Sequence, residues 1–169
     1  MPWWYWPELA TDALETVAQT LGPTASVLLT LGGADVAPER VEAMRRAGAV
    51  VVPYADTYGA LADADVFITS HGVNSTHEAV HLGVPMLSYP FHGDQPGLAD
   101  FCRRHGLALP LVDSPRAPLE PEALVAGTAQ IEQQRAQFGE ALARARGWEL
   151  DVIAQRDAVI DRVLAFAQA

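Results

Sequence analysis

Residues 69–95 read TSHGVNSTHEAVHLGVPMLSYPFHGDQ. Gly72, Asn74 and Ser75 stand directly before a helix-like run. A Gly83-Val84-Pro85 break follows, then an apolar run to Pro90 and the pair Asp94-Gln95. Two successive strand ends therefore each lead through a small polar turn. That arrangement suits a ligand whose phosphates and hydroxyls lie across both turns.

Outward from this stretch, short apolar runs alternate with helical spacings. Leu9, Leu14, Val17 and Leu21 fall on one face and predict a helix from Pro7 to Leu21, stopped by Gly22-Pro23. SVLLTL, Ser26 to Leu31, predicts a buried parallel strand running into the Gly32-Gly33 loop. Pro38 opens a helix that ends at Gly48. AVVVPY is the next strand, followed by a short helix around Tyr58 to Ala62, and DVFITS is another strand. Ser75 to Leu82 predicts a helix ending at Gly83, PMLSYP a strand, and Pro96 to Arg104 a helix ending at His105-Gly106. After a Pro-rich connection from Pro110 to Pro121, Glu122 to Ala169 predicts helix, broken at Gly147-Trp148. No internal repeat or low-complexity tract is present.

Strands alternating with helices predict an α/β fold, a Rossmann-like parallel sheet with helices on both faces. Ligands of such sheets sit outside the carboxyl ends of the strands. Those ends are Leu31 to Gly33, Tyr54, Thr69 to Asn74 and Pro90 to Gln95. The 169 residues suit a single domain: lead-in and helix over 1–25, core over 26–109, carboxyl-terminal helices over 110–169.

The formal net charge is −10, which disfavours nucleic acid and anionic membranes as partners. A phosphate can still bind, but only on local backbone donors. Cys102 is the one cysteine, which excludes an intrachain disulfide and a zinc–cysteine cluster. A free, half-buried thiol fits a reducing cytoplasm. The start, MPWWYWPEL, lacks the basic region and long apolar run of a signal peptide, and nothing reaches the length of a membrane span. Its aromatics are expected to pack onto the domain as a cover.

Each candidate site residue has two readings. The N–H groups at the helix start after Gly72 attract phosphate, and Asn74 and Ser75 add donors. Ser75 and Glu78 also have the S-x-x-E spacing of a capping box, which needs no ligand. Glu78 either caps the helix or accepts hydrogen bonds from a diol such as a ribose. Asp94 and Gln95 either cap the following helix or hold several sugar hydroxyls. Tyr54 either stacks on a base or only packs. His71 is a candidate phosphate donor or base. His77 and His81 share a helix face, but neither they nor His92 find a third metal ligand. There is no Walker loop, no G-x-G-x-x-G, and no nucleophile-elbow context for Ser75.

The whole string is more specific than its parts. FITSHGVNSTHEAVHLGVPMLSYPFHGDQPGLADF resembles the donor-binding pattern of the family 1 UDP-glycosyltransferases, which have the two-domain GT-B fold. That pattern runs F-x-T-H-G-G-x-N-S-x-x-E-A, then G-V-P, a strand, P and D-Q. The resemblance extends from about Ser26 to Leu109 and more weakly through the carboxyl-terminal helices. It implies a nucleotide-sugar site, with Asn74 and Ser75 toward the diphosphate, Glu78 toward the ribose, and Asp94 and Gln95 toward the sugar. Tyr54 falls where the family has a base-stacking Trp, and Thr57 where it often has Gln.

Three departures qualify the resemblance. Ungapped, Ser70 falls on the family's phosphate-binding His and His71 on its first Gly, so His71 is a candidate to replace that His from the next position. Only the sixteen residues Ala34 to Ala49 separate LTLGG from VVVPY, where the family has room for a further strand. The expected core therefore lacks one strand-helix element. The acceptor-binding half, which in relatives supplies the catalytic base, has no counterpart, and no residue here is assigned that role. The resemblance thus implies the carboxyl-terminal donor domain of an enzyme moving a hexose from a UDP- or TDP-sugar to an acceptor hydroxyl, with no metal cofactor. Two alternatives stand beside it. One is the donor half of a split enzyme that needs a separate acceptor-domain chain. The other is an inactive nucleotide-binding module.

Overall fold

The computed structural model describes residues 6–167. Its elements run α1 (Pro7–Leu21), β1 (Val27–Thr30), α2 (Pro38–Arg46), β2 (Ala49–Val52), α3 (Thr57–Ala62), β3 (Phe67–Thr69), α4 (Val73–Leu82), β4 (Met86–Ser88), α5 (Gln95–Arg104), β5 (Ala108–Pro110), α6 (Pro121–Gln133), α7 (Arg135–Ala154) and α8 (Arg156–Ala167). All strand pairing is parallel, as the alternation requires, but the ladder falls into two pieces. β1 pairs with β2, and β3, β4 and β5 pair in that order. A single helix, α2, joins β1 to β2.

β4 is the middle strand of its sheet, and Met86, Leu87 and Ser88 are all buried. A strand covered on both faces must be apolar at nearly every position, which is how PMLSYP reads. Helix α6 reaches it closely because Gly127 has no side chain; a Cβ there would lie 2.9 Å from Leu87 Cδ2. β5 was not expected from the sequence. It is short, and Pro110 ends it at the sheet edge, where a missing N–H costs no ladder bond.

The two-stranded sheet is covered on one face only, contrary to the expectation of helices on both. Ala49, Leu29 and Val51 are buried, while the paired Leu28 and Val50 are 46% and 58% exposed. The connection after β2 is the reason: α3 spans only six residues and packs on α4.

α1 packs on α2 and α6. Its innermost positions are small, Ala10, Ala13 and Ala18 with Val17, and the expected Leu9, Leu14 and Leu21 flank them half-buried. Gly22 at its end meets backbone: a Cβ would lie 2.2 Å from the Ala47 carbonyl oxygen. Arg40 of α2 ties the pair from the side. It donates from Nε and Nη2 to both Glu15 carboxylate oxygens at 2.7 and 2.8 Å, and to Asp12 and Glu8 at 2.5 and 3.2 Å.

α7 rests on α4 and runs through Gly147-Trp148 without a break. The expected interruption there is corrected: one glycine costs a long helix about 1 kcal/mol, which twenty residues absorb. The helical run breaks instead at Gln134 and Gln155. Past Trp148 the apolar side chains Val152, Ile153, Val159, Ile160, Val163 and Leu164 are exposed. Of the early aromatics, Trp3, Trp4 and Tyr5 lie outside the described residues. Trp6 packs against the core, its ring centroid 5.3 Å from that of His92 and 5.0 Å beneath the Arg116 guanidinium carbon. Cys102 is buried, more deeply than expected, and burial pushes its thiol up to about 11. No helix among the described residues is long and apolar enough to cross a membrane.

Candidate functional site

The turn between β3 and α4 differs from the capping-box reading. The helix begins at Val73, two residues before Ser75, with Gly72 at the N-cap and no side chain capping it. Ser75 is therefore already inside the helix, where its hydroxyl donates to the Gly72 carbonyl at 3.1 Å. The first N–H bonded within the helix is that of Thr76, to the Gly72 carbonyl at 3.0 Å. The N–H groups of Val73, Asn74 and Ser75 have no acceptor inside the helix and carry the positive end of its dipole.

These groups open on a cleft of about 480 Å³ lined by Thr57, Gly72, Val73, Asn74, Ser75 and Glu78. The chain's eleven cationic side chains are all arginines, and none lines this cleft. Any anion here is met by backbone and neutral donors. Glu78 faces the cleft one turn further along α4, and its side chain makes no hydrogen bond or ion pair among the described residues. Thr57, which the sequence placed near the base, lines the cleft from the start of α3.

Tyr54 follows the end of β2 and is 72% exposed. Its hydroxyl would lie 1.8 Å from a Cβ on Gly33, so only glycine, here at φ +79°, lets the ring settle over that loop. Most of the ring remains open to solvent. Asp94 precedes α5 and makes no capping bond. Gln95 does not cap either. Its Oε1 accepts from the Phe91 and His92 N–H groups at 3.0 and 3.2 Å, which ties the loop and leaves its amide NH₂ for other partners.

His71 is placed differently from the rest. It is fully buried, with φ +61°, a left-handed conformation that suits the glycine of the family pattern at this position. Its N–H donates to Thr69 Oγ1 at 3.0 Å, Nδ1 lies 3.2 Å from Thr76 Oγ1, and Nε2 lies 2.7 Å from Ser88 Oγ. Both ring nitrogens are used inside the protein, and neither is presented to the cleft. Burial holds this imidazole down at about 4. Thr76 and Ser88, the two residues that hold it, were missed in the sequence; nothing in their spacing points to a shared histidine.

Of the other histidines, His77 pairs through Nδ1 with Glu149 of α7 at 2.5 Å, and the His81 ring lies near Tyr58. Among the described residues no three His, Cys, Asp or Glu side chains group as a metal site.

Known proteins bear on this site. The chain is 40% identical over 50 residues to the uncharacterized UDP-glucosyltransferase YdhE of Bacillus subtilis (strain 168), covering 30% of this chain and 13% of that protein. It is 47% identical over 66 residues to the DIMBOA UDP-glucosyltransferase BX8 of Zea mays, covering 38% of this chain and 14% of that one. Its fold superposes on the glycotransferase of kitacinnamycin with a TM-score of 0.68 at 26% identity, over 79% of this chain and 34% of the other. Os79 from O. sativa, solved in complex with UDP, shares the fold with a TM-score of 0.65 at 16% identity, over 86% of this chain and 38% of that one. The chain thus spans about a third of the length of these solved structures and matches about a seventh of the curated relatives. The family model described as UDP-glucoronosyl and UDP-glucosyl transferase matches residues 12–111, more than half of the 169, and takes in the whole turn from Thr69 to Gln95. The chain belongs to that family.

Proposed function

We propose that this chain is the nucleotide-sugar-binding domain of a glycosyltransferase, serving transfer of a hexose from a UDP- or TDP-sugar to an acceptor hydroxyl. The observation that carries the reading is the uncapped start of α4, opening into a cleft that no cationic side chain lines. Backbone N–H groups fixed by a helix meet the charge that grows on a leaving diphosphate without reorganising, and this requires no metal. Asn74 and Ser75 supply side-chain donors, Glu78 accepts from the ribose diol, Tyr54 offers its open face to the base, and Asp94 with the Gln95 amide takes the sugar hydroxyls. His71 serves from behind the turn, out of contact with the ligand. The buried lone thiol supports a reducing, cytoplasmic setting.

The catalytic base belongs, on this reading, to an acceptor-binding domain, in the same polypeptide or in a separate chain. Calorimetric titration with UDP, TDP and their sugars tests the proposal. Weak binding of a nucleoside diphosphate is expected, because only one wall of the cleft is present. Failure to bind any nucleotide would leave an inactive module. Robust sugar transfer by this chain alone would refute the division of labour.

A further inference from the structure

The family pattern places glycine where this chain has His71, and the structure shows what the histidine does instead. It stands immediately before the N-cap Gly72 and reaches over the first turn to Thr76, four positions into the helix. Its other nitrogen reaches Ser88, the last residue of β4, at 2.7 Å. Ser88 does not line the phosphate-turn cleft. It lines a separate cavity of about 270 Å³ with Pro90, Pro96, Pro110 and Asp100. A non-glycine residue at φ +61° is strained, so these bonds must hold it there.

We propose that His71 is the positioning residue of the phosphate turn: bonded to Thr76 and Ser88 from inside, it fixes the start of α4 against the end of β4 and so sets the aim of the Val73, Asn74 and Ser75 N–H groups. An imidazole is suited to this because its two nitrogens point apart along one rigid ring. Glycine at this position would relax the turn without bracing it. The inference rests on the nucleotide reading for its consequence, but its geometry is testable separately.

The test perturbs Ser88, which is outside the cleft. Ser88→Ala removes the Nε2 partner, and Ser88→Thr keeps the hydroxyl with its extra methyl next to the cavity. UDP affinity is measured by calorimetry, and the Val73, Asn74 and Ser75 amide resonances are followed by NMR. Ser88→Ala is expected to weaken UDP binding by three- to tenfold and to move those three amides, while Ser88→Thr stays near wild type. His71→Asn tolerates the left-handed turn but cannot span to Ser88; in its background Ser88→Ala should add nothing. A role in packing alone predicts lower stability for Ser88→Ala with unchanged UDP affinity and unmoved amides, and that result overturns the inference. If wild type does not bind UDP yet Ser88→Ala moves the amides, the nucleotide reading fails and the bracing role stands. If neither occurs, both fall.

Discussion

Replacing Glu78 by glutamine separates what this residue does for the fold from what it does for a ligand. Glu78 lines the cleft, and no side chain among the described residues hydrogen-bonds to it. It does not close a capping box, because Ser75 bonds the Gly72 carbonyl and the helix begins earlier. The change therefore removes no internal contact, and Glu78 lies beyond the first turn of α4, where a helix start favours negative charge. Tm is expected to stay within about 1 °C of wild type. A ribose diol held by a carboxylate makes two charge-assisted bonds. Turning each into a neutral bond loses about 1 kcal/mol, so about 2 kcal/mol in all, or a roughly thirtyfold weaker Kd for UDP. Calorimetry supplies the Kd and scanning fluorimetry the Tm. An unchanged Kd would remove Glu78 from the site. A Tm lowered by more than about 4 °C would show that its role is structural, because the loss would exceed about 1 kcal/mol.

Asp94→Asn should weaken binding of a UDP-sugar by about 1–3 kcal/mol and leave UDP unaffected, with Tm unchanged because Asp94 makes no capping bond; equal losses for both ligands would point to a general defect. Arg40→Met should cost about 1–2 kcal/mol in urea unfolding, most of it from the sheltered bidentate pair with Glu15, since Glu8 and Asp12 are largely exposed and screened. High salt should change that cost little; a cost that vanishes in salt would mean the pairing is only a surface effect. Acid should destabilise the fold through His71. Its native value is about 4 against an ordinary 6.5, so in that interval the unfolded chain binds the extra proton and stability falls as pH falls, by at most about 3 kcal/mol. His71→Asn should flatten this part of the pH–stability curve, and an equal slope in the variant would exclude His71 as its source.

Strand and helix order was legible because each strand is an apolar run closed by glycine or proline, and each helix shows a three-to-four spacing. The middle strand of the larger sheet was easy to read for the same reason that it is central: Met86 and Leu87 are buried on both faces. β5 was not legible, since Ala108–Pro110 is too short to show a period and ends in a residue that argues against a strand. Gly72, Asn74, Ser75 and Glu78, which line one cleft, were legible as neighbours on one turn, but Tyr54, His71, Asp94 and Gln95 lie outside that lining, and the wiring of the turn was not legible. S-x-x-E reads as a capping box only if Ser75 precedes the helix, and a left-handed residue two positions before Val73 moved the start. The inward turn of His71 depends on that same backbone angle and on Ser88, seventeen residues away, which no local pattern records.

The half-covered β1–β2 sheet has a consequence for how the molecule opens. Among the described residues no ladder joins it to β3–β4–β5, and water reaches the Leu28–Val50 side. Amides on β4 should exchange with solvent only on global unfolding, whereas those of β1 and β2 should exchange through a smaller, cheaper opening. The cleft straddles this boundary. Thr57 follows the looser sheet, while Val73, Asn74 and Ser75 start the helix that leads into the firmer one. On the proposed reading, the Thr57 side of the cleft would then breathe while the start of α4 stays set, and a nucleotide bound there would act as the rivet between two foldons of unequal stability.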